Sequence, residues 1–167
     1  TVKNKNSETY GGGIIATANH ISNFVKKTTL LTTIGESRNN KSYLNFINKS
    51  IKKNIYLIKN SQTIEKNRFL EISSKRKLFQ NLTNDFIRID VNLEKKILKY
   101  LQNNLKKYDL VIVNDFGHGL LTKKIRKYLQ KFSKYLALNC QTNSSNNGYN
   151  FITKYQRANY ITIDEPE

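Results

Sequence analysis

The run Leu110-Val111-Ile112-Val113-Asn114-Asp115, followed by Phe116-Gly117-His118-Gly119-Leu120-Leu121-Thr122, constrains the fold more than any other stretch of this chain. A short apolar run rich in β-branched residues stops at an Asn-Asp pair. A loop with two glycines follows, and a basic amphipathic segment opens at Thr122. This is strand, loop and helix in the manner of an open α/β sheet. In such sheets ligands bind outside the carboxyl ends of the strands. Asp115 and the glycine loop therefore stand where a site is expected. The plainer reading is that Asp115 closes a turn and the glycines supply positive φ. Local pattern leaves both open.

The flanking chain repeats the theme. Residues Thr1 to Tyr10 are a polar lead-in, and Gly11-Gly12-Gly13 opens a helical pattern with Ile14, Ala18, Ile21 and Val25 on one stripe. Thr28 to Ile34 reads as a strand closed by Gly35, Ser42 to Lys53 as a helix carrying Tyr43, Phe46, Ile47 and Ile51, and Ile55 to Ile58 as a strand. Thr63 to Ile72 and Lys77 to Ile89 both read as β around the polar Ser73-Ser74-Lys75-Arg76, so residues 62–89 form a hairpin, a lid or sheet-edge excursion. Alternation then resumes. A helix is capped at Asn92, with Glu94 in its first turn and a stripe of Leu93, Ile97, Leu101 and Leu105. The Leu110 strand comes next, then a helix through Ile125, Leu129 and Phe132, and a strand Tyr135 to Asn139. Gln141 to Asn150 is a long loop, or a loop entering a helix near Tyr149, and the last strand is Tyr160 to Ile163. Strands alternating with helices imply parallel βαβ units with right-handed crossovers.

Composition narrows the function classes. A single cysteine, Cys140, excludes an internal disulfide and suits a reducing cytoplasm, and the only histidines, His20 and His118, give no zinc-finger spacing. No segment reads as a membrane span or signal peptide. The formal net charge of +17 admits a nucleic-acid partner, but the lysines are scattered along the chain and fall mostly on polar helix faces, where a solvated surface explains them. The chain starts at Thr1, contains no methionine and stops at Glu167 directly after a strand, which reads as a fragment of a longer protein.

Three strand ends carry polar groups: Asn114 with Asp115, Asn139, and Asp164. In a parallel sheet these ends share one edge and converge on one cleft. Asp164 and Glu167 offer the hard oxygen ligands that Mg²⁺ prefers, directly or through water, and the alternative is a solvated acidic segment. His118 between glycines is a candidate base, and the alternative is an ordinary loop histidine. Cys140 reads as a buried thiol rather than a nucleophile. Neither a G-x-x-x-x-G-K-[ST] loop nor a G-x-G-x-x-G is present.

Taken together, these stretches resemble the ribokinase-like (PfkB) carbohydrate kinases, and most closely the heptose-phosphate kinase type. Gly11-Gly12-Gly13 with Asn19 resembles the G-G-x-A-x-N-x-A signature that contacts the sugar. Thr63 to Phe69 is similar to T-x-x-K-x-R, with Lys66 and Arg68 on the basic positions, and Arg88-Ile89-Asp90 is similar to L-R-x-D. Asn114 to Thr122 resembles S-D-Y-G-K-G-x-L-T, the most specific of the matches. Asn139 falls on a polar strand end beside the substrate, and Asp164 to Glu167 on the N-x-x-E motif associated with Mg²⁺ and phosphate. The motifs come in family order over nearly the whole chain.

The resemblance implies a three-layer αβα sandwich with a mostly parallel sheet and a β lid, incomplete here as one partial domain over residues 1–167. Residues 11–58 and 90–167 would be its core. It implies an ATP- and Mg²⁺-dependent transfer of a γ-phosphoryl group to a sugar or sugar-phosphate hydroxyl. Gly11, Gly12, Asn19, Lys66, Arg68, Asp115 and Asn139 would bind substrate, and Asp164 and Glu167 would serve nucleotide and metal. It also implies a homodimer through the lid and a nucleotidyltransferase domain fused in the parent. There are departures. Asp164 replaces the motif asparagine, His118 a lysine, and Asn139-Cys140-Gln141-Thr142 the usual V-D-P-K-type strand end. The Gly-Ala-Gly-Asp motif that bears the family's catalytic base is absent from these residues, so the chain alone is expected to be inactive. Two other readings stand beside this one: a non-catalytic sugar-binding relative, and a basic nucleic-acid-binding domain.

Overall fold

The computed structural model describes residues 6–36, 40–83, 86–142 and 149–165. Helix α1 (Gly13–Ile21) starts at Gly12, whose carbonyl accepts the Ile15 and Ala16 N–H groups. Strand β1 (Thr29–Gly35), helix α2 (Asn40–Leu44) and strand β2 (Lys52–Ile58) follow. Strands β3 (Lys66–Leu70) and β4 (Lys77–Leu82) make an antiparallel hairpin with a register shift at Phe69/Leu70. Then come α3 (Val91–Asn104), β5 (Val111–Asp115), α4 (Lys123–Phe132), β6 (Leu136–Cys140) and β7 (Tyr160–Thr162). Short 3₁₀ turns lie at Leu105–Lys107 and Ile152–Lys154.

The chain is α/β, with every core strand parallel to its neighbour. The strands form separate hydrogen-bonded sheets: β1 with β2, β3 with β4, and β5–β6–β7 in that order. Side chains tie α1 and β1 to the later elements. The Tyr108 hydroxyl donates to Thr29 Oγ1 at 3.0 Å and lies 3.1 Å from the Tyr100 hydroxyl, and Asn114 Nδ2 donates to Thr17 Oγ1 at 2.7 Å. Leu31 and Tyr56 pack on the main core, which Ile97, Leu101, Val113, Ile125, Leu129, Leu136 and Leu138 fill between α3, α4 and the β5–β6–β7 sheet. A smaller core of Ala18, Leu30, Ile47 and Ile51 lies under α1 and β1.

Several local expectations change. The Ser42 to Lys53 helix shrinks to α2, and turns carry Ile47 and Ile51 into the small core instead. Strand β2 consequently begins at Lys52 rather than Ile55. The cap of α3 is Asp90, not Asn92, because the Asp90 carboxylate reaches the Leu93 N–H at 2.6 Å. The α1 stripe stops short, leaving Val25 beyond the helix and exposed. The second hairpin strand ends at Leu82 rather than running to Ile89. Thr122 does cap α4, accepting from Ile125 N at 3.3 Å. Its hydroxyl also hydrogen-bonds Glu94 in the first turn of α3, and that bond is the main cause holding the Glu94 carboxyl below the usual glutamate range, with Lys124 adding to it.

Candidate functional site

Pleating decides what reaches the cleft, which runs along one face of the β5–β6–β7 sheet from Ile112, Ala137 and Tyr160 to the strand ends. On β5, Ile112 and Asn114 face it, while Val113 and Asp115 point into the buried side. Ala137 and Asn139 of β6 and Tyr160 and Thr162 of β7 continue the cleft floor. Gly13 and Thr17 of α1, with Phe116 and Gln141 from the loops, complete a cleft of about 440 Å³. Its polar groups are carboxamides and hydroxyls, and its apolar surface includes two aromatic rings. A Cβ on Gly13 would come within 2.6 Å of the Phe116 ring, so glycine there lets the helix start close on the loop. Gly119 has φ +98°, and a Cβ there would lie 2.3 Å from the Ile87 carbonyl oxygen.

Behind the cleft lies a buried polar cluster. Asp115 is 3% exposed. Its Oδ1 accepts the Gly117 N–H at 2.9 Å, and its Oδ2 accepts the Tyr155 hydroxyl at 2.6 Å and pairs with Lys154 Nζ at 2.6 Å. Lys154 also donates to Asn150 Oδ1. Asn150 Nδ2 bridges the carbonyls of Asp115, at 2.9 Å, and Gln141, at 3.0 Å. The Gln141 N–H binds the Asp115 carbonyl at 2.8 Å, and the Cys140 thiol donates to the Asn150 carbonyl at 3.1 Å. Burial first, and the Asp115 charge second, push the Tyr155 hydroxyl far above the usual tyrosine range. Arg126 and Lys154 approach the Tyr155 ring at 5.9 and 5.7 Å from its centroid, within cation–π reach.

Of the residues singled out from sequence, Asn139 lines the cleft, its Nδ2 donating to the Thr162 carbonyl at 2.9 Å. Gly11 and Gly12 sit at the start of α1, beside the cleft-lining Gly13. The Asn19 carboxamide binds backbone, giving to Phe46 O at 2.7 Å and accepting from Asn48 N at 3.0 Å. Asp115 is adjacent to the cleft but turned away from it. Lys66 and Arg68 are on β3. Partial burial, with Arg68 second, holds the Lys66 ammonium below the usual lysine range, and Arg68 Nε donates to Gln80 Oε1 at 3.2 Å. Asp164 is exposed, its Oδ1 accepting from Glu165 N at 3.0 Å, and Glu167 lies outside the described residues. Asp164 offers an oxygen donor suited to Mg²⁺, an ion usually held by one or two carboxylates together with substrate phosphates. Among the described residues no three of His, Cys, Asp and Glu gather as a metal site. The His118 carbonyl accepts Ile87 N–H at 3.0 Å, and its ring stacks near Phe116 at 6.1 Å.

Sequence reasoning passed over Asn150, Lys154, Tyr155, Thr17 and Thr162. Thr17 lies one helical turn past Gly13, and Thr162 shares strand parity with Tyr160, so those two had a readable signal. Asn150, Lys154 and Tyr155 follow no period, and only the tertiary fold brings them to Asp115.

No protein-family model matches the chain, and no curated protein matches it. Among solved structures the chain is similar to a possible 1-phosphofructokinase from Thermotoga maritima, with a TM-score of 0.69 and 14% identity. The match covers 98% of this chain and 52% of that one, so the chain spans about half of its length. The likeness shows the fold, which is ribokinase-like. Among the described residues no helix is long and apolar enough to cross a membrane.

Proposed function

We propose that this chain is part of an ATP-dependent carbohydrate kinase that transfers the γ-phosphoryl group of ATP to a hydroxyl of a sugar or sugar phosphate, with Mg²⁺. The observation that carries this reading is the fold likeness, over 98% of the chain, to a possible 1-phosphofructokinase. The cleft supports it. Carboxamides and threonine hydroxyls can both give and accept hydrogen bonds, as sugar hydroxyls require, and Phe116 and Tyr160 offer apolar faces to ring C–H groups. In this proposal Asn139 and Asn114 meet the sugar, the glycines at Gly11 and Gly12 allow its close approach, and Lys66 and Arg68 reach a phosphate from the hairpin acting as lid. Asp164 and Glu167 organise Mg²⁺ and the nucleotide phosphates. ATP with its Mg²⁺ supplies the phosphoryl group, and the protein contributes positioning and charge stabilisation.

The proposal extends to the heptose-phosphate type, to a cytoplasmic setting and to a nucleotidyltransferase fused in the parent. It also includes pairing of two copies through the hairpin, whose Phe69 and Phe79 rings stack 4.2 Å apart while exposed. The test is ADP production from ATP and Mg²⁺ by the full-length protein, with fructose 1-phosphate and a panel of hexose and heptose phosphates. Sugar-dependent turnover is expected for at least one member, and none from the chain alone, which lacks Gly-Ala-Gly-Asp. Absence of both turnover and sugar binding in the full-length protein would overturn the reading. Binding without ADP would favour the non-catalytic relative, which His118 and Asp164 at the departed positions motivate.

A further inference from the structure

We infer that Asp115, Lys154 and Tyr155 are positioning residues for the cleft, a charged clamp, buried at Asp115 and Tyr155 and part-exposed at Lys154, that registers the 116–119 loop against the strand end carrying Gln141. An ion pair whose carboxylate is buried is a poor choice for stability alone, since packed apolar residues of similar volume serve as well or better. What this pair adds is direction. Each Asp115 carboxylate oxygen has an assigned donor: Gly117 N–H on one, and Tyr155 Oη with Lys154 Nζ on the other. The Asp115 carbonyl meanwhile holds the Gln141 N–H and the Asn150 amide. One residue therefore sets the ends of β5 and β6 and the 150–155 segment together.

The side chains on the far side inherit that register. Phe116 follows Asp115 directly and abuts Gly13, where not even a Cβ fits. Gln141 and Asn114 line the same cleft. A slip of the carboxylate would move Phe116 into the helix start or Gln141 off the cleft wall. Asp115 then acts on a ligand without touching it, which differs from the substrate contact the sequence motif implies. The ligand half of this inference rests on the sugar-cleft reading; the clamp itself does not.

The test is hydrogen exchange by mass spectrometry on the full-length protein, comparing peptides over 116–119 and 140–142 with peptides over 97–104. The variants are Tyr155→Phe, Lys154→Met and Lys154→Arg. Tyr155→Phe, which keeps the ring, is expected to speed exchange at 116–119 and 140–142 by about tenfold, the scale of one charge-assisted hydrogen bond, with 97–104 unchanged. Lys154→Met should do the same, and Lys154→Arg should restore most of the protection. Fructose 1-phosphate affinity should fall by about tenfold in the two damaging variants and recover with arginine. Unchanged exchange at 116–119, or a uniform rise across the protein, would overturn the clamp. If the unmodified protein binds neither fructose 1-phosphate nor the other sugars, the sugar reading falls, and the exchange pattern still decides the clamp. Should Lys154→Met fail to fold, Tyr155→Phe carries the test.

Discussion

The end of β5 and the β3–β4 hairpin make opposite choices. At the strand end a carboxylate is taken out of water beside a tyrosine, with a part-exposed ammonium paired to it. In the hairpin, paired phenylalanines are left in water, Phe69 at 41% and Phe79 at 55% exposed. Neither choice maximises the stability of an isolated chain. Burying charge costs desolvation, which geometry and further hydrogen bonds must offset. Exposing stacked rings leaves apolar area that another surface could cover. The strand end is thus a place where one arrangement is imposed. The hairpin is a place where contact with something else is invited, a second copy in our proposal.

That contrast can be broken by experiment. A large effect is expected for Asp115→Asn, which removes the charge that faces Lys154, Tyr155 and Gly117 N–H. It should cost about 3 kcal/mol, the low end for a broken buried pair because the Lys154 side chain stays 22% exposed, read from the denaturant midpoint. A cost near zero would mean that the clamp is not formed. Leu136→Ala, at 0% exposure in the core beside it, should cost about 2–5 kcal/mol. Phe79→Ala in the hairpin should cost only about 0.5–1.5 kcal/mol, while weakening any dimer seen by analytical ultracentrifugation. Equal losses for those two substitutions would erase the distinction between the regions.

A pH signature sharpens the comparison. Tyr155 is held above its usual value of 10.0 by burial and by Asp115. The folded protein therefore keeps that proton where the unfolded chain loses it, so the stability involved is present below pH ~10 and drains away as pH rises beyond it. Tyr155→Phe should flatten the alkaline limb of the stability curve, whereas Phe69 and Phe79 changes should leave its shape alone. Tyr100, also raised by burial, will keep part of the slope. The smallest effect belongs to Lys134→Met. The Lys134–Asp109 pair is exposed at both ends, with Asp109 94% exposed, and its loss should stay within about 1 kcal/mol and vanish in high salt.

Residue pattern carried much of the fold. Thr122, Ile125, Leu129 and Phe132 announce α4 because cap and stripe agree, and the β-branched run at β5 has no competing reading. The Ser42 to Lys53 segment misleads because successive turns can bury Ile47 and Ile51 at spacings that imitate a helix. Asp90 and Asn92 are both good caps, and only the reach of the Asp90 carboxylate to Leu93 N decides between them. Of the strand-end groups expected to converge, Asn114 and Asn139 line one cleft, whereas Asp115 turns away from it and Asp164 is not in its lining. That strand ends would gather polar groups follows from parallel topology. Which face Asp115 takes depends on a one-residue parity, and its partners Lys154 and Tyr155 lie 39 and 40 positions away in an aperiodic stretch. Electrostatic pairing over such distances leaves no local mark.

The separation of the two parallel sheets bears on how the chain is made. The β1–β2 pairing, Thr29 with Lys52 through Gly35 with Ile58, uses only contiguous chain and is complete once residue 58 has left the ribosome. The β5–β6–β7 sheet likewise draws on one later stretch, from Val111 to Thr162. Vectorial synthesis can therefore assemble them in turn, each through short crossovers with modest loop-closure entropy. Ribosome-stalled chains ending near residue 110 should already protect β1 from proteolysis. The Tyr108–Thr29 hydroxyl contact then marks the late event, when the second-made half docks on the first.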